Sequence, residues 1–285
     1  MDTILKNMIK LNYDEIEKYK FPFNEVFALQ INHEEVFYHF IIRLSSKSNK
    51  LLCFSPGAQS RTMKTTSGKS ITPPYFHRWS WYKYFDESFI SCADPTFLYD
   101  DTITLGWFVG NKNEWYLKIL SEIIKKILNN LNIKNENTIF FGSSGGGFVS
   151  IALGTLIKDS KVIANNSQFF ILNFEQYHIN NLFRLLRKSF CQKDEEIIPQ
   201  IKHRLNIIEL FKRENYVPEI NYYVNLYSKA DINNQFLPFI QEISNLDIFE
   251  QNLNIHLYKG NKKIPHDPMG TQQTIKIIKS KINTM

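Results

Sequence analysis

The sequence predicts an α/β fold in which helices cover both faces of a mostly parallel central sheet. Three observations indicate this class. Most β-type segments are continuous apolar runs, which is typical of strands that are buried on both faces. These runs alternate with segments of helical periodicity, as they do in βαβ units. One strand-to-helix junction is rich in glycine and serine, at residues 142–147. Because no internal repeat or low-complexity linker interrupts the pattern, we expect residues 1–285 to form a single domain.

The first third of the chain is expected to supply the antiparallel part of the sheet. Residues 1–25 are polar and mixed, and they predict a short helix followed by an arm. Residues 26–31 and 36–44 are β-type runs separated by a short polar segment, which favours an N-terminal hairpin. Two further apolar strands are predicted at residues 50–54 and 89–93, and each ends at a proline-containing turn.

The remainder of the chain alternates between strands and helices. Residues 116–131 keep a helical period of about 3.6 residues. The further predicted strands are residues 138–141, 161–164, 222–227 and 255–258, and the further predicted helices are residues 149–157, 236–243 and 271–282. Residues 173–219 lack strand patterning, so we expect them to form a helical cap inserted between two strands.

Composition excludes several classes of protein. The net charge of +6 is spread along the chain, and no recognition-module signature accompanies its basic segments, so we expect no nucleic-acid partner. Cys53, Cys92 and Cys191 are odd in number and lack CxxC spacing, which argues against a disulfide framework and favours a reducing compartment. Neither a signal-peptide core nor a membrane-length apolar run is present. We therefore expect a cytoplasmic protein with no integral membrane segment. The oligomeric state is not predicted.

The glycine-rich junction is the first candidate for chemistry. Gly142-Ser143-Ser144-Gly145-Gly146 follows an apolar strand and precedes a helical run, which is the pattern of a nucleophile elbow. Such a turn lifts a serine hydroxyl above the sheet and directs helix N-terminal N–H groups toward developing negative charge. A phosphate-binding loop is the alternative, but Phe148 and Val149 stand where that motif needs Lys and Ser or Thr. Metal-ligand and dinucleotide motifs are also missing, so no metal and no cofactor is expected.

A serine nucleophile needs a histidine base and an acid that orients it. In open α/β sheets these side chains emerge at the carboxyl ends of strands. Asp231 follows the penultimate predicted strand, and His266 follows the last. Asp231 has an alternative role as a helix cap, with Asp247 as the substitute acid. Asp267, beside His266, is expected to cap or solvate the turn rather than to serve as the triad acid.

This order of Ser, Asp and His along the chain resembles that of the α/β-hydrolase fold superfamily, over the range from about residue 26 to the C-terminus. The resemblance implies Ser144 as nucleophile, His266 as general base and Asp231 as its orienting acid. It also places oxyanion-hole donors at the N–H of Gly145 and in the loop after the third predicted strand. There the candidates are Gly57 and Ala58, in a Ser-Pro-Gly sequence that differs from the His-Gly form common among esterases.

Aromatic loop segments suggest where a substrate could bind. Arg78, Trp79 and Trp81 lie in one segment and Trp107 in another, and such side chains suit a sugar platform or an acidic-group clamp. The alternative is a well-packed irregular loop. The FHRWSW, ADPT and GWFVG segments are loosely similar to α/β-hydrolase-like proteins of bacterial surface-polysaccharide clusters, which favours a carbohydrate-related substrate.

The sequence therefore predicts a serine hydrolase that cleaves a carboxylic ester, such as an O-acyl (acetyl) group on a glycan or sugar. Two alternatives stay open at this point. The same triad could serve an acyltransferase, because the outcome depends on whether water is excluded. The chain could also be a non-catalytic accessory or glycan-binding protein, since fold alone does not fix function.

Overall fold

A computed structural model describes residues 2–62, 64, 68, 70–249 and 252–284 of the chain. Within them a nine-stranded sheet has the order β1-β2-β3-β5-β4-β6-β7-β8-β9. The strands are β1 (Ile9–Asn12), β2 (Val26–His33), β3 (Val36–Arg43), β4 (Leu51–Phe54), β5 (Ser88–Ala93), β6 (Thr138–Ser143), β7 (Lys161–Asn165), β8 (Glu219–Asn225) and β9 (Leu253–Tyr258).

Most of the sheet is parallel, as the sequence predicts. Strand β3 pairs antiparallel with both β2 and β5, and every other neighbouring pair is parallel. The β2–β3 hairpin therefore forms the antiparallel side. The predicted α/β class, with helices on both faces and an N-terminal hairpin, is confirmed.

Helices cover the two faces unequally. They are α1 (Asp2–Lys6), α2 (Thr96–Tyr99), α3 (Tyr116–Asn130), α4 (Gly145–Leu156), α5 (Gln176–Phe190), α6 (Asp194–Leu205), α7 (Ile207–Glu214), α8 (Lys229–Asp231), α9 (Leu237–Ile243) and α10 (Thr271–Ile282). Helices α3, α4, α5, α6, α7 and α9 contribute to the larger apolar cluster. On the other face α10 packs with Phe54, Phe89 and Phe141 in a smaller cluster.

The helical insertion lies between β7 and β8. Its helices α5, α6 and α7 bury apolar side chains in the same core as α3 and α4. Arg204 of α6 donates hydrogen bonds to the carbonyl oxygens of Val109 and Asn111, at 3.2 and 2.8 Å. His203 packs edge-on against Trp115. Body and insertion are therefore joined by polar as well as apolar contacts.

The N-terminal arm differs from its prediction. Residues 9–12 form β1, which pairs in parallel with β2, where the sequence suggested an arm without a strand. Leu11 is the one buried residue of β1, so an alternating pattern is too short to recognise. In the part of the chain that the structure describes, the helices are all too short or too polar to cross a membrane.

Candidate active site

Ser144 occupies a strained turn between β6 and α4. Its backbone φ of 55° and ψ of −127° lie outside the regions that residues other than glycine ordinarily adopt. A Cβ at Gly142 would collide with the carbonyl of Gly146, and one at Gly146 would lie 2.7 Å from the carbonyl oxygen of Ser55. The turn is therefore as tight as the glycine pattern predicts. Strain of this kind is retained mainly at functional sites.

Three side chains from separate strand ends meet at this turn. His266 Nε2 lies 2.8 Å from Ser144 Oγ, and His266 Nδ1 lies 2.8 and 2.9 Å from the two carboxylate oxygens of Asp231. A carboxylate only accepts hydrogen bonds, so in the neutral imidazole the proton is on Nδ1 and the Nε2 lone pair faces the serine. The arrangement can take a proton from Ser144.

Asp231 is held rigidly behind the histidine. It is 3% exposed, and the hydroxyl of Ser228 donates to its Oδ2 at 2.5 Å. Asp231 lies in the helical turn α8, and its side chain makes no cap hydrogen bond to the segment that follows. The helix-cap alternative thus has no hydrogen bond to support it.

The pKa of His266 is set by opposing effects. Burial lowers this pKa, but the hydrogen bond that Nδ1 donates to Asp231 and the negative charge of Asp231, with smaller contributions from the charges of Glu175 and Asp267, outweigh burial. The net result is a pKa raised above the ordinary value of 6.5 for histidine. The imidazolium that forms when Ser144 loses its proton is therefore stabilised.

Asparagines at the ends of two strands fix the loop that carries His266. Asn166 Nδ2 donates to the carbonyl oxygen of His266 at 3.2 Å, and Asn165 Oδ1 accepts from the N–H of Met269 at 2.8 Å. Asn225 Nδ2 donates to the carbonyl oxygen of Pro265 at 2.9 Å. No role was predicted for these asparagines from the sequence, although their position at carboxyl ends of strands was a usable signal.

Gln168 is a further contact of Ser144 that sequence reasoning missed. Its Nε2 donates to Ser144 Oγ at 3.0 Å, and its Oε1 accepts from the indole N–H of Trp107 at 2.6 Å. An indole N–H can only donate, so it fixes which end of the amide faces Ser144. Because Ser144 Oγ accepts from Gln168, its own proton is left to point at His266.

Trp107 therefore has a different place from the one the sequence suggested. It is 1% exposed, so its ring face is closed to a bound sugar. Its loop is held by Asp94, whose Oδ2 accepts from the N–H of Phe108 at 2.9 Å. Trp107 and Phe108 both have positive φ angles, of 49° and 53°. The contribution of Trp107 to the site is its hydrogen bond to Gln168.

Two segments carry the backbone donors predicted for an oxyanion hole, the start of α4 and the loop after β4. Gly145 begins α4, directly after Ser144. Gly57 donates its N–H to His77 Nδ1 at 3.4 Å, and His77 Nε2 lies 3.2 Å from Gln59 Oε1. In the described residues the N–H of Ala58 donates to no acceptor. Of the two candidates in this loop, Ala58 has the free donor.

His77 is neutral at physiological pH. Burial, with a smaller contribution from the charge of Arg78, lowers the pKa of His77 to about 4. A neutral ring that accepts on Nδ1 carries its proton on Nε2, which suits the acceptor on Gln59. His77 therefore braces the loop that carries Ala58, a role the sequence did not indicate.

Of the remaining predicted substrate residues, Arg78 is hydrogen-bonded to the turn. Arg78 donates from Nη2 to Ser143 Oγ at 2.8 Å. Trp79 and Trp81 are half-buried, and each packs against apolar core residues. Next to the catalytic candidates, a cavity of about 170 Å³ is lined in part by Phe174, Asp231 and His266. Among the residues that the structure describes, no cluster of acidic, His or Cys side chains could hold a metal ion.

Comparisons with known proteins agree with this fold. No protein-family model and no curated protein sequence matches the chain. Among solved structures, the capsule O-acetyltransferase of Neisseria meningitidis serogroup A aligns with a TM-score of 0.62 at 14% identity, over 88% of this chain and 96% of that one. A mutant of that enzyme was solved in complex with CoA.

Two esterase-type structures are also similar. Acetyl xylan esterase 1 from a Thermoanaerobacterium species has a TM-score of 0.55 at 12% identity, over 93% of this chain and 92% of that one. S-formylglutathione hydrolase from Staphylococcus aureus has a TM-score of 0.51 at 12% identity, over 91% of this chain and 97% of that one. At such low identity these likenesses show a shared fold.

Proposed function

The chain has an α/β-hydrolase fold, and we propose that it is a serine hydrolase that cleaves an O-acetyl or related acyl ester on a sugar or glycan. One observation carries this proposal. Asp231, His266 and Ser144 form an unbroken series of hydrogen bonds of 2.8 to 2.9 Å, with Ser144 in a strained turn. Reactive geometry of this kind serves nucleophilic acyl transfer.

Acylation begins when Ser144 Oγ attacks the ester carbonyl carbon. His266 Nε2 takes the hydroxyl proton, and Asp231 stabilises the imidazolium through Nδ1–H. The N–H groups of Gly145 and Ala58 bind the oxyanion of the tetrahedral intermediate. Removal of one such donor costs about 2.7–4 kcal/mol of transition-state stabilisation. The intermediate collapses when the C–O bond to the sugar breaks and His266 returns the proton to the leaving sugar oxygen.

Deacylation repeats these steps with water. His266 Nε2 takes a proton from a water molecule, whose oxygen attacks the carbonyl carbon of the acyl-enzyme. The second intermediate collapses when the bond between Ser144 Oγ and the carbonyl carbon breaks, which releases the carboxylic acid, and His266 Nε2 returns its proton to Ser144 Oγ. Gln168 donates to this oxygen in the resting site, so it orients the serine hydroxyl before attack.

Support for a carbohydrate substrate comes from the structural neighbours. One of them is named as an acetyl xylan esterase and another as a capsule O-acetyltransferase. The chemistry common to both names is an acetyl group on a polysaccharide hydroxyl, which agrees with the substrate class that the sequence suggests.

Acyl transfer to a sugar hydroxyl is the second candidate, and the meningococcal capsule O-acetyltransferase favours it. The first half of the reaction is the same in both cases. A sugar hydroxyl then replaces water in the second half.

The cysteines support our proposal that the protein is cytoplasmic. Cys53, Cys92 and Cys191 are all free, and two of them are buried. Free cysteines are typical of reducing compartments, so we place the protein in the cytoplasm.

Acetate release from acetylated sugars tests the proposed function. The wild-type protein should release acetate, and Ser144→Ala should lower the rate to background while its circular dichroism spectrum stays native. Parallel reactions with an acetyl donor and unmodified sugar acceptors, followed by mass spectrometry, separate transfer from hydrolysis. Undiminished turnover by Ser144→Ala would rule out this nucleophile, and saccharide binding without any turnover would favour an accessory protein.

A further inference from the structure

The side chain of Arg78 is a cation without a counter-ion beside the proposed nucleophile. Within the described residues its guanidinium makes one hydrogen bond, from Nη2 to the hydroxyl of Ser143 at 2.8 Å. No charged neighbour perturbs its pKa, which burial alone lowers to about 10. Arg78 is therefore still protonated at physiological pH, and no carboxylate of the described chain neutralises it.

The geometry around Arg78 holds the guanidinium in place. It lies over the rings of Trp81 and Phe141, at 5.4 and 5.1 Å from their centroids. The backbone of Arg78 has a positive φ of 57°, which is uncommon for a residue with a side chain. The Ser91 hydroxyl fixes the preceding residue by donating to the carbonyl oxygen of His77 at 2.9 Å. The side chain is thus prepared to bind in one orientation.

Most of the hydrogen-bonding capacity of Arg78 is unused. A guanidinium offers about five N–H donors in a planar fork that matches carboxylate and phosphate oxygens. The Arg78 side chain is partly exposed, and its unbonded nitrogens are not among the buried polar atoms without a partner, so solvent reaches them. Burial of a charge destabilises a protein unless a group of opposite charge pairs with it. For Arg78 that group would be an anion of a bound ligand.

The position of Arg78 relates its unused N–H donors to the proposed reaction at Ser144. Ser143, which it contacts, directly precedes Ser144, and consecutive Cα atoms are about 3.8 Å apart. We infer that Arg78 forms an anion-binding subsite next to Ser144, which takes a carboxylate or phosphate group carried by the ester substrate. The inference rests on the proposed function for its substrate, but the anion site itself is defined by the geometry.

The test compares acetyl esters with and without an anionic group. The probes are glucose, glucuronic acid and glucose 1-phosphate, each acetylated at the same hydroxyl, and acetyl-CoA as a donor whose phosphates lie on the acyl carrier. The measured quantity is the ratio of kcat/KM for an anionic ester to that for the neutral ester. In Arg78→Gln this ratio should fall at least tenfold for the probe whose anion reaches the site. The probe that shows the fall identifies the source of the anion.

Lys83→Gln is the matched control, because Lys83 is an exposed cation of the same segment and its loss changes the net charge equally. It should keep the wild-type ratio. Arg78→Lys keeps the charge but loses the fork, so its ratio should fall between those of the wild type and Arg78→Gln. A parallel fall for neutral and anionic esters, which leaves the ratio unchanged, would contradict the inference and assign Arg78 a structural role.

Binding measurements keep the inference separate from the proposed function. In the Ser144→Ala background, calorimetry should show that Arg78→Gln weakens binding of at least one anionic probe tenfold or more, with a smaller change for the neutral sugar. If Arg78→Gln weakens anion binding but the wild-type protein shows no turnover, the proposed function is overturned and the anion subsite is retained. If the wild-type protein turns over esters but Arg78→Gln changes neither the charge preference nor anion binding, the anion subsite is overturned and the proposed function is retained. If Arg78→Gln does not fold, the same comparison is made with Arg78→Lys, for which a wild-type ratio and wild-type binding overturn the inference.

Discussion

At the scale of single residues, the environment of His266 decides how the proposed chemistry depends on pH. The imidazole must be neutral to accept the proton of Ser144, and Asp231 raises the pKa of His266 in spite of its burial. The carboxylate therefore has two effects, because it selects the useful tautomer and also moves the protonation of the base to higher pH.

We predict that kcat/KM falls as the pH is lowered through an apparent pKa above 6.5, the ordinary value for histidine. In Asp231→Asn the charge that raises this pKa is lost while the lowering effect of burial stays, so the acid limb should move to lower pH. Loss of the correct tautomer should also lower kcat by up to about 10,000-fold. A pH–rate profile of both proteins measures this, and an unmoved acid limb in Asp231→Asn would contradict the assignment.

Gln168 gives a second prediction at this scale. We expect Gln168→Ala to lower kcat by about 3- to 10-fold with little change in KM, since a neutral hydrogen bond contributes about 0.5–1.5 kcal/mol. Trp107→Phe keeps a buried ring but removes the hydrogen bond to the Gln168 side-chain amide, so kcat should fall by a smaller factor than in Gln168→Ala. The acid limb of the pH profile should stay in place in both variants. A raised KM with unchanged kcat would show instead that Gln168 contacts the substrate.

At the scale of elements, the junction of β6 and α4 shows tertiary packing prevailing over local propensity. The sequence predicts a helix from residue 149, because the glycines before it disfavour helix. In the structure α4 begins at Gly145. Neighbouring residues approach the glycines at 145–147 so closely that a side chain would not fit there. The same glycines therefore weaken the helical signal and permit the turn.

Gly146→Ala should destabilise the protein by about 1–3 kcal/mol. The added Cβ would lie 2.7 and 3.0 Å from the carbonyl oxygens of Ser55 and Pro56, which are backbone atoms with little freedom to move. Gly270→Ala is the control, because a Cβ there meets no atom within 4 Å. Urea unfolding of both variants measures the difference. Equal stabilities would show that the loop after β4 is free to shift.

At the scale of the whole molecule, the alternation of strands and helices from β2 onward and the segments that carry Ser144, Asp231 and His266 were predictable from local patterns. Ser144 directly follows β6, whereas Asp231 and His266 lie in the segments that follow β8 and β9. The contact between Trp107 and Gln168 was not predictable, because the two residues are 61 positions apart and no local pattern relates them. The contact between His77 and Gly57 was not predictable either, although both residues lie in segments that the sequence singles out. Such contacts depend on how loops meet above the sheet, which no local pattern encodes.

We propose that the helical insertion and the sheet form one domain, and this predicts a single unfolding transition. Helices α5, α6 and α7 share their apolar core with α3 and α4, and Trp115 packs against His203 of the insertion. Thermal or urea unfolding followed by far-ultraviolet circular dichroism and by tryptophan fluorescence should give coincident curves. Two separated transitions would show that the insertion folds independently.

Whether Ser144 is an activated nucleophile is the central claim, and covalent labelling tests it most directly. The purified protein is treated with a fluorophosphonate probe, and the modified peptide is mapped by mass spectrometry in the wild type, Ser144→Ala and His266→Ala. We predict one adduct, on Ser144 and not on the adjacent Ser143, with none in either variant. A folded wild-type protein that takes up no probe, or an adduct that persists in Ser144→Ala, would contradict the account.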